Sequence, residues 1–489
     1  MVTKQIRYAI AALALGAVMA TGHAQFTDIG AALTPVDSGS VAWGDYDNDG
    51  HLDILLTGWS DAGLVAEVYR NNGDGTFTDI GAGLTGVSQG SAAWADYNDN
   101  GRLDILLTGR TAGFQSVAIV YENNGDGTFT DIGAALTGVS QGAAAWADYN
   151  DNGLPDILLT GFDNSFNPVA KVYQNNGDGT FTDLDAGLTG VSSGSAAWGD
   201  YNGNELPDVL VMGWSGSEVV AKLYENHGDG TFTEVDAGLT GVDFGGVAWG
   251  DFDGSGRLDI LLAGYDNAFN PVSVVYQNNG DGSFTEVNAG LAGAGDGSVA
   301  VADYNNDGHL DILLTGWNGS EASATVYENN GDGTFTDIGA GLTGVEFSSV
   351  AWGDYDNDGN PDILLTGWSS TGPVTKVYRN ERDPVDEDPV DEEPEEPTVT
   401  ERLESLLDDL HALQADRRIN NGVANAATNQ LGNVLRSHDR GNLNAACNQL
   451  QGFTNLIQGQ VRSRRLDAGD GQALIDAANE TRTALGCNE

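Results

Sequence analysis

Basic residues are scarce in this sequence, and their scarcity limits what the protein can bind. Lysine and arginine number 20 against 72 aspartates and glutamates, which gives a formal net charge of −52 over 489 residues. A chain with so few cations cannot neutralise the phosphates of a nucleic acid or attach to an anionic membrane surface. The charge excludes nucleic acid as a partner and suits divalent cations.

Long apolar runs are also lacking. The longest, Tyr8–Ala20, is too short to span a bilayer, so no transmembrane segment is predicted. It follows a short basic segment and precedes small residues that end at Ala24, which is the pattern of a secretory signal peptide. We therefore predict a signal peptide over residues 1–24, cleavage between Ala24 and Gln25, and a secreted, extracellular protein.

Cysteine occurs only twice, as Cys447 and Cys487. In the oxidising compartment that an exported protein meets, the two residues are predicted to form one disulfide. Two unrelated buried thiols are the alternative.

Recognisable catalytic signatures are missing too. The sequence has no His-Glu-x-x-His zinc motif and no Walker loop. None of its six histidines repeats with a partner that would form a catalytic pair. The sequence favours a protein that is not an enzyme but leaves the question open.

What the sequence has in abundance is repetition. A nine-residue segment beginning at Asp45 returns at intervals of 51 or 52 residues, giving seven copies. Each unit contains four runs rich in β-branched and aromatic residues, separated by Asn-Gly and Asp-Gly turns. Seven units of four antiparallel strands predict an all-β, seven-bladed β-propeller; a solenoid is the alternative. The copies begin at Asp45, Asp96, Asp148, Asp200, Asp251, Asp303 and Asp354.

The two ends of the repeat region complement each other. The seventh unit lacks its fourth strand, and Gln25–Ile29 matches the fourth strand of the first unit, Thr76–Ile80. The N-terminal strand is therefore predicted to complete the last blade, so that residues 25–380 close into a ring and leave no open sheet edge.

The composition changes after the repeats. Residues 381–400 are acidic and proline-rich and are predicted to form an extended linker. Residues 401–489 have leucines at helical spacing and are predicted to form a small α-helical bundle.

Each nine-residue motif concentrates oxygen-bearing side chains at positions 1, 3, 5 and 9, and six of the seven copies have glycine at position 6. Calcium takes six to eight oxygen ligands, and glycine permits the sharp bend that brings alternate positions towards one ion. The motif therefore predicts a structural calcium site in each blade, up to seven in all. The predicted ligands are Asp45, Asp47, Asp49, Asp53; Asp96, Asn98, Asn100, Asp104; Asp148, Asn150, Asn152, Asp156; Asp200, Asn202, Asn204, Asp208; Asp251, Asp253, Ser255, Asp259; Asp303, Asn305, Asp307, Asp311; and Asp354, Asp356, Asp358, Asp362.

These sites are not expected to be equal. The fourth copy is doubtful because Glu205 stands where the other copies have glycine. The first and seventh copies carry four carboxylates each and are expected to bind tightest. Solvated acidic turns without metal are the alternative for the whole set.

The segment Val41–Ile54, together with its repeats over about residues 25–380, resembles the FG-GAP/VCBS repeats of integrin α-subunit propellers and many exported bacterial proteins. The resemblance implies calcium binding by the aspartate-rich hairpin, and adhesion, glycan binding or polysaccharide lyase activity. The tail, through Arg440–Phe453 and Ala473–Asn479, resembles the helical FIMAH module of exported bacterial proteins.

A second candidate site lies at the turn between the second and third strands, which varies most among the copies. An aromatic residue opens this turn in six copies, and Arg110 does so in the second. Exposed aromatic rings could stack on sugars or anchor a protein, and packing between blades is the alternative. The candidate ligand-binding residues are Trp59, Phe162, Trp214, Tyr265, Trp317 and Trp368.

Taken together, the sequence predicts a secreted, calcium-stabilised propeller that acts as a binding or adhesion module for an extracellular glycan or protein. A lyase-like enzyme on the same propeller is the second hypothesis, and a structural component of an extracellular matrix is the third. The oligomeric state is left open.

Overall fold

The computed structural model describes residues 25–381, 399–415, 417–440, 442–463 and 465–487. The predicted signal peptide and most of the predicted linker lie outside these residues. The chain divides into two compact units, one ending at Asp386 and the other beginning at Glu387. Among the described residues, no helix has the length and apolar character needed to cross a bilayer.

The first unit is the predicted propeller: seven separate four-stranded antiparallel sheets, with strands in sequence order within each of the first six blades. The first three blades are β2 Asp37–Gly44, β3 Asp53–Ser60, β4 Gly63–Asn71 and β5 Phe77–Asp79; β6 Ala92–Ala95, β7 Asp104–Arg110, β8 Ser116–Asn123 and β9 Phe129–Asp131; and β10 Ala144–Ala147, β11 Asp156–Phe162, β12 Pro168–Asn175 and β13 Phe181–Asp183.

The remaining blades repeat this order, and the seventh takes its outer strand from the N-terminus. They are β14 Ser192–Gly199, β15 Asp208–Trp214, β16 Val219–Asn226 and β17 Phe232–Val235; β18 Val247–Gly250, β19 Asp259–Tyr265, β20 Pro271–Asn278 and β21 Phe284–Val287; β22 Gly295–Ala302, β23 Asp311–Trp317, β24 Ala322–Asn329 and β25 Phe335–Asp337; and β26 Glu346–Gly353, β27 Asp362–Ser369, β28 Gly372–Asn380 and β1 Phe26–Asp28.

The ring closes as the sequence predicted. β1 pairs antiparallel with β28, with Phe26 opposite Asn380 and Asp28 opposite Tyr378. The Nζ of Lys376 on β28 donates to Asp28 Oδ2 at 2.8 Å, which ties the two ends of the propeller across the same ladder. This pairing completes the seventh blade as a four-stranded sheet like the other six, so the solenoid alternative is excluded.

The core lies between blades, and the second strand of each blade supplies most of it. Ile54, Leu55 and Leu56 on β3 are all fully buried. Because successive side chains of a strand point to opposite faces, Leu55 packs against the second blade while Ile54 and Leu56 pack against the seventh. A strand covered on both faces reads as a continuous apolar run, which explains the recurring Ile-Leu-Leu.

The second unit contains four helices: α1 Val399–Ala415, α2 Asn421–Asp439, α3 Leu443–Arg462 and α4 Ala468–Ala484. Their apolar faces share one core, in which Leu406, Leu431 and Phe453 are fully buried. The predicted disulfide joins Cys447 in α3 to Cys487 beyond the end of α4. The helical prediction for the tail is therefore confirmed.

Candidate metal centres and candidate binding face

The acidic loops join the first strand of each blade to the second, and the aspartate at position 1 organises each of them. In the first blade Asp45 Oδ1 accepts from the backbone N–H of Asp49 at 3.0 Å, and Oδ2 accepts from Gly50 at 2.9 Å. The same pair of bonds recurs in the other six loops. The repeated motif therefore folds into one repeated loop.

Two left-handed residues give each loop its tight path. Position 4 has positive φ, as at Asn48 with φ 58°, and position 6 has positive φ, as at Gly50 with φ 88°. In the fourth loop Glu205 takes the glycine position with φ 69°, and its N–H still donates to Asp200 Oδ2 at 2.8 Å. That loop keeps the common fold, at the steric cost that a side chain incurs in the left-handed region.

Position 9 places a carboxylate in the interior. Asp53 is fully buried; its Oδ2 accepts from Tyr46 N–H at 3.0 Å and its Oδ1 from Asn71 N–H at 2.8 Å. Burial raises the pKa of Asp53 to about 7 and that of Asp362 to about 8, because a carboxylate loses its hydration there. A nearby cation would replace the lost hydration and favour the charged form of these groups.

Three loops bring three carboxylates together. In the first, fifth and seventh blades, one oxygen from each aspartate at positions 1, 3 and 9 lies within 4.8 Å of the others. A separation of this order suits one divalent ion bound by oxygen atoms at 2.3–2.6 Å. The groups are Asp45, Asp47 and Asp53; Asp251, Asp253 and Asp259; and Asp354, Asp356 and Asp362.

Buried oxygens without a hydrogen-bond donor provide a separate test of whether these loops fit a cation. At position 3, the Oδ1 atoms of Asn98, Asn150 and Asp356 are buried and accept no hydrogen bond. A buried acceptor without a donor costs on the order of 1–3 kcal/mol. A hard cation satisfies such an atom, so the donor set of these loops fits calcium chemically.

Position 5 does not join the carboxylate groups that the structure brings together. Asp49 Oδ1 accepts from His51 N–H at 3.0 Å. Its Oδ2 accepts from the Arg70 side chain at 2.8 Å. In the seventh blade Asp358 is bound in the same way, by Asn360 N–H and by Arg379. The position-5 residues thus line each loop but stand apart from the tight cluster of positions 1, 3 and 9.

A buried asparagine beneath each loop connects neighbouring blades. From the sequence this residue was expected only to form part of a hairpin turn. Asn71 Nδ2 donates to Leu52 O at 3.1 Å and to Tyr355 O of the preceding blade at 2.8 Å, and its Oδ1 accepts from Gly73 N–H. The signal was an asparagine at the end of the third strand in all seven copies, followed in six of them by the turn that begins Asn72-Gly73-Asp74-Gly75 in the first. The seven clamps are Asn71, Asn123, Asn175, Asn226, Asn278, Asn329 and Asn380.

The opposite ends of the strands carry the predicted aromatic positions. Trp59 is 55% exposed and Trp368 is 45% exposed. Phe162, Trp214, Tyr265 and Trp317 are half-buried, as is Arg110. Tyr265 packs over Gly295, and its hydroxyl donates to Asp296 Oδ2 at 3.1 Å. The predicted ring therefore separates into two open tryptophans and four more enclosed rings.

Further aromatic residues on this face escaped the sequence analysis. Phe114, Phe166 and Phe269 lie in the turns, with exposures of 67% or more. Phe347 lies at the start of β26, and Phe244 lies three residues before β18 begins. The signal was a phenylalanine four residues after the residue that opens the turn, in the second, third and fifth copies. Among the described propeller residues, every large exposed hydrophobic side chain lies on this face.

One residue from each blade surrounds the central opening on this face. Each has positive φ, such as Gln89 with φ 53°, and Gln89 N–H donates to Ser38 O of the preceding blade at 2.6 Å. In six blades glycine follows, as at Gly90, where a Cβ would lie 2.0 Å from Thr108 O. These residues line one pocket: Ser38, Gln89, Gln141, Ser193, Phe244, Asp296 and Phe347.

A groove that shares Ser38, Gln89 and Phe347 with this pocket is lined by residues of the first, second and seventh blades. It has a volume of about 530 Å³, and its lining includes Trp59, Trp368, Phe347 and the acidic residues Asp37 and Glu346. Burial raises the pKa of both carboxyl groups. The groove therefore combines open aromatic surface with hydrogen-bonding acid groups.

Comparison with known proteins agrees with this architecture. A model described as an FG-GAP-like repeat matches residues 45–107, 148–211, 200–262, 251–314 and 303–365, which together make up more than half of the chain. The chain belongs to the FG-GAP-like repeat family. A FIMAH domain model matches residues 403–483, so the FG-GAP-like propeller is followed by a FIMAH domain.

Curated relatives of this FG-GAP-like protein include cartilage acidic protein 1 of Xenopus tropicalis, 24% identical over an alignment of 389 residues that covers 73% of this chain and 53% of the relative. The Mus musculus protein of the same name is 24% identical over 359 residues, covering 71% of this chain and 52% of the relative. The chain thus spans about half the length of these relatives.

Among solved structures, an α-L-arabinanase of Penicillium chrysogenum in complex with arabinobiose aligns with 71% of this chain and 97% of its own. The sequence identity is 10% and the TM-score is 0.38. A likeness at this level carries no argument about activity.

Proposed function

We propose that this protein is a secreted, calcium-stabilised propeller that binds an extracellular carbohydrate in the groove between Trp59 and Trp368. The observation that carries the proposal is the division of the two faces. One face repeats an oxygen-lined loop seven times, and the other gathers all the large exposed hydrophobic residues of the described propeller.

Calcium is supported by the loops themselves. Aspartates at positions 1, 3 and 9 converge in three blades, and buried position-3 oxygens without a donor occur in the second, third and seventh. Loops with asparagine at positions 3 and 5 offer the same oxygen pattern with less charge. Calcium would join the first two strands of a blade to each other and offset carboxylate repulsion, so its role is structural.

Carbohydrate suits the groove because its lining combines two exposed tryptophans with carboxylates that accept hydrogen bonds. A sugar ring can stack its C–H face on Trp59 or Trp368 while its hydroxyls donate to Asp37 or Glu346. A protein partner is the alternative occupant, since exposed tryptophans also anchor protein interfaces.

The lyase alternative finds less support at this groove. Notably, the residues that line it, Asp37, Ser38, Trp59, Ser88, Gln89, Glu346, Phe347 and Trp368, include no lysine, arginine or histidine. A lyase acting on an acidic polysaccharide needs a cation to neutralise the sugar carboxylate and a base to abstract a proton. We therefore place binding ahead of catalysis. A structural role in an extracellular matrix is the third candidate. It is supported only by the name of a relative, cartilage acidic protein 1, which refers to a matrix-rich tissue.

Secretion is part of the proposal. The Cys447–Cys487 disulfide fits an oxidising compartment, as does the predicted signal peptide over residues 1–24.

A glycan array probed with the full chain in calcium would test the binding site. We expect a defined set of glycans to bind, and the W59A/W368A variant to lose about 2 kcal/mol per tryptophan. F269A removes an exposed ring on the same face outside the groove and serves as the matched control. If no glycan on the array binds and a protein ligand does, the carbohydrate assignment is wrong. If the protein forms unsaturated uronate products from a polysaccharide, it is an enzyme and the order of the two hypotheses is wrong.

A further inference from the structure

One position on the third strand of each blade faces the acidic loop and differs in charge from blade to blade. It directly precedes the buried asparagine clamp, and in six blades it pairs with a threonine of the fourth strand; in the seventh its partner is Thr27 of the N-terminal strand. We call it the third-strand residue. In chain order it is Arg70, Glu122, Gln174, Glu225, Gln277, Glu328 and Arg379.

Direct contacts show that this residue reaches the loop. Arg70 Nε lies 3.0 Å from Asp47 Oδ2, and Arg70 Nη2 lies 2.8 Å from Asp49 Oδ2. The seventh blade repeats the geometry, since Arg379 lies 2.8 Å from Asp356 Oδ2.

The neutral and acidic members occupy the same place. Gln277 donates through Nε2 to Asp253 Oδ2. Glu225 lines one cavity with Asp200, Asn202 and Asn204 of the fourth loop. In these four blades the third-strand residue therefore lies beside position 3 or 5 of the loop, and in the sixth Glu328 Oε2 accepts from the hydroxyl of Tyr304 at position 2, at 3.3 Å.

The charge of the third-strand residue follows the charge of its loop. Arginine occurs only in the two blades whose loops have aspartate at positions 1, 3, 5 and 9. Glutamate occurs where positions 3 and 5 hold two asparagines, or one asparagine and one aspartate. Positions 1, 3, 5 and 9 of a loop together carry −2, −3 or −4, but when the third-strand residue is added to these four positions, five of the seven sites carry −3.

From this pattern, we propose that the third-strand residue sets the charge of each calcium site. Arginine is a built-in counter-ion that competes with calcium at the first and seventh loops, and glutamate supplies an additional carboxylate at the second, fourth and sixth. The inference rests on the proposed calcium binding.

The proposal changes the order of calcium affinities that the loop residues alone predict, in two respects. The first and seventh loops do not bind tightest, because their two extra carboxylates are held by arginine. The sixth site carries −4 with Glu328 included and is the tightest of the seven. The doubtful fourth loop gains an acidic ligand in Glu225.

Calorimetric titration of the calcium-free full chain with calcium tests the proposal. R70Q/R379Q should move two of the bound ions to about tenfold tighter binding, because a divalent ion no longer competes with a nearby guanidinium. E122Q/E225Q should move two ions to about tenfold weaker binding. Glutamine already occupies this position in the third and fifth blades, so both variants suit the fold.

K222Q/K376Q is the matched control. It removes Lys222 of β16 and Lys376 of β28, which pair with Glu234 and Asp28 away from the loops and do not occupy the position of the third-strand residue. If it shifts affinity as much as R70Q/R379Q, the effect is one of net charge and the proposal fails. If the natural chain binds calcium and neither loop variant changes its affinity, this inference alone fails. If the natural chain takes up no calcium, the proposed function fails and this inference with it.

Discussion

The propeller and the helical unit are each stabilised internally by different chemistry. The propeller has no cysteine, and polar groups such as the Asp53 carboxylate and the Asn71 amide connect its strands and blades. The helical unit has a core centred on residues such as Phe453 and a single disulfide between Cys447 and Cys487. One unit should therefore respond to metal and the other to reductant.

The backbone explains this difference. Helices satisfy their N–H and C=O groups internally, so the helical unit needs polar side chains only at ends, where Asn420 and Asn442 cap α2 and α3. The loops between strands cannot do so, and they bury acceptors that require donors or cations. Every blade adds another such loop to the propeller.

Removing calcium should produce the largest separation of the two units. One ion present at 100 times its Kd adds about 2.7 kcal/mol, so several ions add on the order of 10 kcal/mol to the propeller alone. We expect a chelator to lower the melting temperature of the propeller by about 10 °C or more. Tryptophan fluorescence measures this melting temperature. The melting temperature of the helical unit, measured by the helical signal in circular dichroism, should stay the same. If the chelator lowered both melting temperatures equally, the two units would not differ in their dependence on metal.

Removing the disulfide should have the opposite selectivity. The bond closes a segment of 40 residues, so C447S/C487S should lower the stability of the helical unit by about 4 kcal/mol through the entropy of its unfolded state. Denaturant unfolding followed by the helical signal measures this loss. Tryptophan fluorescence of the propeller in the same sample is the internal control, because all ten tryptophans lie before residue 381.

Breaking one asparagine clamp should show that the blades depend on amides as well as ions. N123A removes bonds to Tyr46 O and Leu103 O and leaves buried carbonyls unsatisfied, at a cost of about 3 kcal/mol. N124A changes the adjacent exposed asparagine, which bonds only to Thr128 and Thr130. Equal losses in urea unfolding for the two variants would remove the clamp from the argument.

Relieving the strained fourth loop should have the smallest effect. Glu205 has φ 69°, so E205G should stabilise the propeller by about 1 kcal/mol. The reciprocal G101E change in the second loop, where φ is 79°, should destabilise it by a similar amount. Measuring both in a chelator removes any contribution from ion binding. No gain from E205G would mean that the loop relaxes around the side chain.

Much of the propeller could be predicted because each blade repeats the same local information. The blade number, the strand order and the closing strand at Phe26 all follow from aligning the copies with one another. The positive φ at Gly50 was also predictable, since glycine recurs at a sharp bend. The roles of Asn71 and Arg70 were not predictable, because each depends on a partner about 20 residues or a whole blade away.

The exposed face shows the same limit. Trp59 and Trp368 open the same turn as Trp214 and Trp317, yet only the first two are more than about two-fifths exposed. Exposure depends on what the neighbouring blade places against each ring, and no single copy contains that information.

The sequence by itself determined the architecture of this protein, because β-branched and aromatic runs and turn residues specify each blade locally and the unit recurs seven times. It also placed carboxylates at fixed positions of every loop. Only the tertiary structure decided which of those carboxylates converge, which are held by arginine, and which aromatic rings stay open to solvent. Those outcomes depend on distances between strands and blades, which are set when the ring closes.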